Sequence, residues 1–170
     1  MASAATLQGL GDLPGGEVWS MTEGRTAFGG MHTLSADGGV VVGHSSSDLP
    51  IAVVVYEPFW WSSETGMLGM IGLLGVSDPL YGAHSAQAVS ADGSVVAVLG
   101  SYLGNRWTFG PDGLTAEMVP LEPWNTYDIS DDGQVMVGAV RVDGNLQAAL
   151  WSEATGVVVL GLLQPEHIES

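Results

Sequence analysis

Three kinds of residue in this chain could do chemistry: histidines, a cluster of aspartates, and tryptophans outside a repeated pattern. No two histidines fall at the spacing of a zinc-binding helix, and the sequence contains no cysteine that could complete a zinc site. We therefore expect the histidines to be ordinary strand or surface residues. They are His32, His44, His84 and His167.

The densest group of acids is Asp128, Asp131 and Asp132. Carboxylate oxygens are ligands that calcium prefers, so these three residues are weak candidates for a metal site, although their spacing is not that of an EF-hand loop. Asp37 and Asp92 occupy the same place as Asp132 in a repeated motif without further acids nearby. That comparison favours a role in turns. No cofactor beyond this weakly indicated calcium is predicted.

Tryptophan is the other candidate, because an exposed indole ring can stack on a sugar ring. Three tryptophans recur at one position of the repeat and are expected in the core: Trp61, Trp107 and Trp151. Three others stand outside that position and are weak candidates for ligand binding: Trp19, Trp60 and Trp124. In a strand, the neighbouring rings of Trp60 and Trp61 would point to opposite faces.

Two carboxylates could serve a glycosidase as general acid and base, but sequence spacing does not show whether two of them converge. The chain lacks the Gly-x-Ser-x-Gly pattern of a nucleophile elbow and a glycine-rich phosphate loop before a helix. We therefore predict no catalytic residue and no enzyme. The glutamates considered are Glu57, Glu64, Glu117, Glu122 and Glu153.

Charge excludes one class of partner. The chain has 19 acidic side chains and three cationic ones, all arginine, and its formal net charge is −16. Such a chain repels phosphate backbones, and nucleic-acid binding requires clustered Lys and Arg. The acidity indicates solubility first, with calcium binding or life in high salt as alternatives. The absence of cysteine also excludes a disulfide framework.

No run of about 18 apolar residues is present, so no helical membrane span is predicted. Residues Ala2-Ser3-Ala4 resemble the small-x-small end of a signal peptide, without the basic and hydrophobic parts that precede such an end. We expect a secreted protein whose leader is missing from this sequence. A cytoplasmic protein with an Ala/Ser-rich start is the alternative.

The elements that must position these residues form an internal repeat. Residues 34–43, 89–97 and 129–138 share the form aliphatic-Ser-x-Asp-Gly-x-Val-(Val/Met)-(Val/Ala). A Trp-Ser/Thr segment ending in a Thr-Gly or Asp-Gly turn follows each copy, and a Leu-Gly-type element closes the first and third. The copies are about 40 to 55 residues apart, which is the range of propeller blades.

Each repeat predicts four short strands. Asp-Gly between apolar runs favours a type I′ hairpin, and the serine two positions earlier can fix the turn by hydrogen bonding. Strand A is predicted at 32–34, 87–89 and 127–129, strand B is the Val run, strand C ends at the tryptophan, and strand D follows the second turn. The fold class is therefore all-β and propeller-like, with almost no helix. The predicted divisions are a strand remnant at 6–16 and blades at 28–75, 84–121 and 125–163.

The number of blades is a problem, since closed propellers typically have about 4–8. Three stacked sheets would leave two apolar faces exposed, and such faces associate. We therefore expect a homo-oligomer, with two chains completing a six-bladed ring as the favoured form. A fragment of a longer repeat array and an open stack are the alternatives.

These elements resemble the HAF-repeat family of bacterial extracellular proteins. The resemblance is carried by Leu10-Gly11-Asp12-Leu13-Pro14-Gly15-Gly16, by residues 35–43, and by Phe59-Trp60-Trp61 with the turn that ends at Gly66. The second unit departs from the pattern in its longer turn, and the third has Leu150 before its tryptophan. The resemblance implies a propeller-like fold and a secreted or cell-surface location, and it implies no reaction.

The function expected from the sequence is a non-enzymatic, extracellular binding or assembly module that acts through stacked β-blades. The alternative is a carbohydrate-binding or glycoside-cleaving propeller. That alternative requires a cleft in which carboxylates and a tryptophan outside the repeat converge.

Overall fold

The computed structural model describes residues 9–14, 20–22, 32–47, 56–73, 85–100, 104–110, 112–113, 115–121 and 124–162. Within these ranges 58% of residues are in strands, and the single helix, α1 (Met70–Leu73), has four residues. No helix in the same ranges is long and apolar enough to cross a membrane. The prediction of an all-β fold with almost no helix is confirmed.

The strands form three antiparallel sheets, each a meander in chain order. Sheet 1 contains β1 (Ser20–Met21), β2 (Val40–Ser45), β3 (Glu57–Ser62) and β4 (Gly66–Gly69). Sheet 2 contains β5 (Ser85–Val89), β6 (Val95–Leu99), β7 (Gly104–Phe109) and β8 (Ala116–Leu121). Sheet 3 contains β9 (Trp124–Ile129), β10 (Val135–Val142), β11 (Asn145–Ser152) and β12 (Gly156–Val159). Three four-stranded antiparallel blades were predicted, and three are present.

The Ser-x-Asp-Gly turns connect the first two strands of a sheet and are held by one repeated set of hydrogen bonds. Ser35 Oγ donates to Asp37 Oδ1 (2.7 Å) and accepts the N–H of Val40 (2.9 Å). The same Asp37 oxygen accepts the N–H of Gly39 (2.8 Å). Equivalent bonds recur in sheets 2 and 3. The predicted role of the serine in fixing the turn is confirmed.

The type of these turns differs from the prediction. A type I′ turn requires positive φ at both central residues. Ala36 and Asp37 do not have positive φ, and the left-handed conformation starts only at Gly38 (φ 74°), whose N–H donates to the carbonyl of Ser35 (3.0 Å). The loop between the paired residues Ser35 and Val40 is therefore four residues long. In a two-residue turn, the N–H groups of this segment would pair with the opposite strand; here the Ser and Asp side chains accept their hydrogen bonds instead.

A type I′ geometry occurs elsewhere, in the hairpin between β10 and β11. Asp143 (φ 49°) and Gly144 (φ 84°) both have positive φ and connect the paired residues Val142 and Asn145. This two-residue loop carries no serine two positions before the aspartate. The three Ser-x-Asp-Gly copies thus form the longer loop, whereas Asp143-Gly144 forms the short one.

The first strand of sheet 1 is interrupted. Strand A was predicted at 32–34, yet β1 lies at Ser20–Met21, beside the far end of β2, and Leu34 makes a separate antiparallel bridge to Val41. Both pieces therefore pair with β2. Residues 23–31, between the two pieces in the sequence, lie outside the described residues.

The interruption falls where the other two sheets carry a β-bulge. In sheet 2 the register shifts between Ala86 and Ala88, so Gln87 is the extra residue. In sheet 3 the shift leaves Tyr127 as the extra residue. A bulge already disrupts the ladder at this point, so an insertion there costs the sheet little further pairing.

The three sheets stack in chain order and bury two apolar cores. Between sheets 1 and 2 the core is built from Val42, Trp60, Met70, Ala86, Val89, Val96, Val98, Trp107 and Phe109. Between sheets 2 and 3 it is built from Ala88, Val95, Ala97, Ile129, Met136, Val140 and Ala149, with Trp151 packed against it. Trp107 and Trp151 each pack on the preceding sheet, which is the core role predicted for them.

Neighbouring Ser-x-Asp-Gly turns also bond to one another. The N–H of Ala36 in sheet 1 donates to the carbonyl of Ala91 in sheet 2 (2.9 Å), and the N–H of Ala91 donates to the carbonyl of Asp131 in sheet 3 (2.9 Å). Glycines pack across the same boundary: a Cβ on Gly93 would lie 2.6 Å from Val40, and one on Gly133 would lie 2.7 Å from Val95. The turns therefore fix the spacing between sheets.

The N-terminal segment does not form the predicted strand remnant in its described part. Residues 9–14 belong to no strand, and the rest of the predicted span 6–16 lies outside the described residues. Leu13 is buried, and its N–H lies 3.4 Å from Ser45 Oγ, which also donates to Asp12. The segment therefore packs against the end of β2.

Ser90→Ala is expected to lower the free energy of unfolding by about 2 kcal/mol, because it leaves the buried N–H of Val95 without its acceptor. Ser130→Ala is the matched control. It removes the same bonds from the exposed turn of sheet 3, where water can replace them, and should cost below about 1 kcal/mol. Urea unfolding followed by tryptophan fluorescence measures both, and equal losses would contradict the argument.

The turn aspartates predict a loss of stability in acid. The pKa of Asp37 is held below its ordinary value of 3.8, first by the N–H of Gly39 and then by the hydroxyl of Ser35. Hydrogen bonds from Ser90 and Ser130 lower the pKa of Asp92 and Asp132 in the same way. Because these carboxylates bind protons more weakly in the folded chain, their contribution is complete above about pH 5 and is lost as the pH falls through 3.8 and below.

The measurement is the urea midpoint at pH 6, 4 and 3, for the wild type and for a triple variant in which the three turn aspartates become asparagine. The variant should lose less stability between pH 6 and pH 3. A control variant makes the same change of charge at exposed acids outside the turn hydrogen bonds: Asp131→Asn, Glu64→Gln and Glu153→Gln. Parallel pH profiles for all three proteins would refute the assignment.

Candidate functional site

An acidic cleft lies at the end of the stack that carries the turns, between sheets 1 and 2. Its volume is about 450 Å³. The cleft brings together turns from both sheets, because the first and third connections of a meander lie at the same end. Its acidic lining residues are Asp37, Glu64, Asp92 and Asp112, and its aromatic ones are Trp60 and Phe109. None of the described residues that line it is cationic.

Three of the four carboxylates of the cleft, those of the aspartates, accept hydrogen bonds within their own turns. Asp37 and Asp92 accept the serine and backbone hydrogen bonds described above, and Asp112 Oδ1 accepts from the N–H (3.1 Å) and hydroxyl (3.0 Å) of Thr115. The pKa values of Asp37 and Asp92 are lowered by these bonds. Both therefore remain ionised at neutral pH and lack the raised pKa that a general acid needs.

Trp60 does not offer a ring face to a ligand. It is 7% exposed, and its ring is stacked on that of Phe109 at 5.4 Å and 18°. A Cβ on Gly113 would lie 2.6 Å from the indole, so the longer turn of sheet 2 covers it from another side. Trp60 Nε1 donates to the carbonyl of Gly93 in the next turn (3.2 Å). This placement favours packing over sugar stacking.

Position 60 in fact belongs to the repeat. Arg106 stands at the same register position in sheet 2, and its Nη2 lies 3.4 Å from the carbonyl of Gly133 in the turn of sheet 3. In sheets 1 and 2, the residue before the repeated tryptophan thus donates a hydrogen bond to the turn of the next sheet. The comparison of the three repeats did not reveal this equivalence, because tryptophan and arginine have in common only an N–H donor at a similar distance from the backbone.

The predicted metal candidates do not converge. Asp132 Oδ1 is held within its turn by Ser130, whereas Asp128 Oδ1 accepts the N–H of Ile129 (2.9 Å) and lies 3.5 Å from His32 Nδ1. Asp131 contributes its carbonyl to the turn-to-turn bond. Among the residues that the structure describes, no group of three or more His, Asp or Glu could hold a metal ion.

The remaining sequence candidates are scattered. Trp19 and Glu122 lie outside the described residues, and Trp124 begins β9. Glu57 is buried, and its Oε1 accepts the N–H of Gly72 (3.0 Å), so it anchors α1. The other glutamates, Glu64, Glu117 and Glu153, are exposed.

A second feature is an uncovered apolar surface on sheet 3. We call it the open face of sheet 3 and define it by Val135, Val137, Leu146 and Leu150. Val137 is 44% exposed, although Val42 and Ala97, at the same position of the repeat, are fully buried against the next sheet. The sequence held the signal for this surface, since the Val runs align. An exposed apolar face at each end of the stack was predicted, but its residues were not assigned, because the sequence does not show which face of a strand packs on the preceding sheet and which on the following one.

The comparisons with known proteins bear on the fold alone. No family model and no curated protein matches the chain. Among solved structures it is similar to TolB from Acinetobacter baumannii, with a TM-score of 0.51 and 19% identity over 79% of this chain. The matched region is 33% of that chain, so this protein spans about a third of it. TolB is a β-propeller protein, which agrees with blade-like sheets here.

Gly113→Ala is expected to destabilise the chain more than Gly156→Ala. Both glycines end a turn with similar positive φ (66° and 63°), so the backbone strain is matched. Only at Gly113 would the added methyl collide with Trp60, and overpacking of this kind costs about 1–3 kcal/mol. Thermal or urea unfolding gives the difference. Equal losses would mean that Trp60 is not held in the closed cleft wall described above.

Proposed function

We propose that this chain is a non-enzymatic, extracellular assembly module that associates with copies of itself through the open face of sheet 3. One observation carries the proposal. In sheets 1 and 2, the residues at the same positions pack against the following sheet. In sheet 3 they are exposed, and no sheet follows among the described residues.

The physical argument is the cost of leaving this face in water. Val137 and Leu146 are exposed, and burial of such a side chain contributes about 1.5–3 kcal/mol. Contiguous apolar surface on a soluble protein marks an association site. The face also carries little charge: of the side chains that its register places there on β10 and β11, only Arg141 is charged.

The electrostatics of the cleft support a role without catalysis. Its turn carboxylates are already hydrogen bonded, and the shift in their pKa is downward, opposite to what proton donation at neutral pH requires. The carbohydrate-binding alternative has less support, because the ring of Trp60 is covered by Phe109 and by the turn at Gly113. The cleft is better explained as the seam between two stacked sheets.

The extracellular location rests on the resemblance to HAF-repeat proteins. What supports it is the motif Ser-x-Asp-Gly-x-Val, whose serine and aspartate contacts are the same in all three units. A cysteine-free chain of net charge −16 is compatible with that location. An assembly role needs no cofactor, and we propose none.

Val137→Asp is expected to abolish self-association, because it would place an unpaired carboxylate in an apolar interface. A cost of about 3 kcal/mol corresponds to a dissociation constant raised by roughly 100-fold. Sedimentation equilibrium over a range of concentrations measures the constant for the wild type, whose single-chain mass is 17.6 kDa.

The matched control is Val119→Asp. Val119 lies on β8 at the outer edge of the middle sheet and is 46% exposed even with sheet 3 stacked beside it. The same substitution there adds the same charge without touching either end of the stack. The proposal fails when the wild type sediments as a single chain at all concentrations, or when both variants associate equally.

A further inference from the structure

Sheet 1 has an uncovered side that complements the open face of sheet 3. Leu34 is 56% exposed, although Val89 and Ile129, at the same position of the repeat, are 3% and 5% exposed because each packs against a preceding sheet. Val41 and Trp61, which pair with each other in sheet 1, lie on this side and are half-buried. We call Leu34, Val41, Trp61 and Met67 the open face of sheet 1.

The turns show the same unfilled contacts at both ends. Gly93 and Gly133 pack against a valine of the preceding sheet, whereas a Cβ on Gly38 would have no atom within 4 Å. The valine that corresponds to their partners, Val135, is the exposed one in sheet 3. A following turn would place its glycine against Val135.

The backbone bonds between turns are directional, and this fixes the polarity. Each bond runs from the N–H of one turn to the carbonyl of the next along the chain. In the part of the chain that the structure describes, the N–H of Asp131 donates to no further turn, and the carbonyl of Ala36 receives no N–H from another turn. The unused N–H of Asp131 at one end of the stack is therefore complementary to the unused carbonyl of Ala36 at the other end.

From these contacts we infer that a second copy of this chain docks head to tail, with the open face of sheet 3 on the open face of sheet 1 of the other copy. The inference rests on the proposed function and names its partner surface. In the complex, the N–H of Asp131 donates to the carbonyl of Ala36 of the other copy, and Gly38 packs on Val135. Both contacts repeat those found within the chain.

Two copies close the assembly. A head-to-tail contact forms a ring when the rotation closes and a filament when it does not. The described residues of one chain provide three sheets, and closed rings of such sheets typically contain about 4–8. Two chains give six sheets and use every open face, whereas three chains would give a number outside that range.

The test uses two variants of the full chain, each blocked at one end. Val137→Asp removes the open face of sheet 3, and Leu34→Asp removes that of sheet 1. Since every head-to-tail contact needs both faces, each variant alone should be monomeric, with a dissociation constant raised at least about 100-fold. Mixed in equal amounts, they should form a heterodimer held by one intact contact, in which sheet 3 of Leu34→Asp packs on sheet 1 of Val137→Asp; this open dimer should be weaker than the closed wild-type dimer. Sedimentation velocity and native mass spectrometry with one isotope-labelled variant detect it.

The other outcomes overturn the inference and identify what replaces it. If Leu34→Asp still dimerises alone, sheet 3 pairs with sheet 3, and the proposed function survives without the head-to-tail geometry. If the wild type grows beyond twice 17.6 kDa with concentration, the stack is an open array. A monomeric wild type removes the proposed function as well. Circular dichroism of both variants checks that they fold, which the exposure of both sites favours.

A smaller substitution at the turn tests the same contact without charge. Gly38→Ala adds one methyl where the ring would place Val135 of the other copy, and it should raise the dissociation constant by about 10-fold. Gly156→Ala, also at positive φ and without neighbours within 4 Å, is the control and should leave the constant unchanged. Equal constants for the two variants would exclude Gly38 from the interface.

Discussion

A four-stranded sheet with apolar residues on both faces must be covered on both sides, and this constraint explains most of the molecule. Sheet 2 satisfies it completely, since Val96 and Trp107 face sheet 1 while Val95 and Ala97 face sheet 3. Sheets 1 and 3 each satisfy it on one side only. The middle sheet is therefore covered on both faces, whereas each outer sheet keeps one apolar face exposed.

The Ser-x-Asp-Gly turn links this constraint to local chemistry. Within a turn, the serine and aspartate satisfy N–H groups that the ladder does not reach, so the loop is rigid. Between turns, the backbone N–H of the residue after the serine donates to a carbonyl of the next turn. The glycine, which has no side chain, lets a valine of the preceding sheet approach closely. One six-residue motif thus closes a hairpin and also sets the distance between sheets, which is why it recurs in every unit.

The sequence was informative where structure is local and repeated. The strands, their number per unit, the serine–aspartate contact and the core role of Trp107 all follow from short patterns that occur three times. The interruption of strand A was not predictable in the same way, because the residues near Leu34 look like a complete strand and the pairing of Met21 with His44 is non-local. Turn length was misjudged because Asp-Gly dominates the pattern, while hydrogen bonds from the serine decide the geometry. Trp60 was assigned outside the repeat because its equivalent, Arg106, makes the same kind of hydrogen bond to the next turn but is a chemically different residue.

The position before the repeated tryptophan, occupied by Trp60, Arg106 and Leu150, distinguishes the contacts between sheets within the chain from the contact proposed between chains. Trp60 reaches the carbonyl of Gly93, and Arg106 approaches that of Gly133, so each internal boundary has a side-chain donor to the following turn. Leu150 occupies the position in sheet 3 and has no donor. A boundary formed by sheet 3 is therefore one hydrogen bond weaker than those inside the chain, by about 0.5–1.5 kcal/mol. Two chains of charge −16 also repel each other. In the proposed ring, both effects would make the interface between copies the weakest boundary, so such an assembly should separate into folded chains before its sheets separate within a chain.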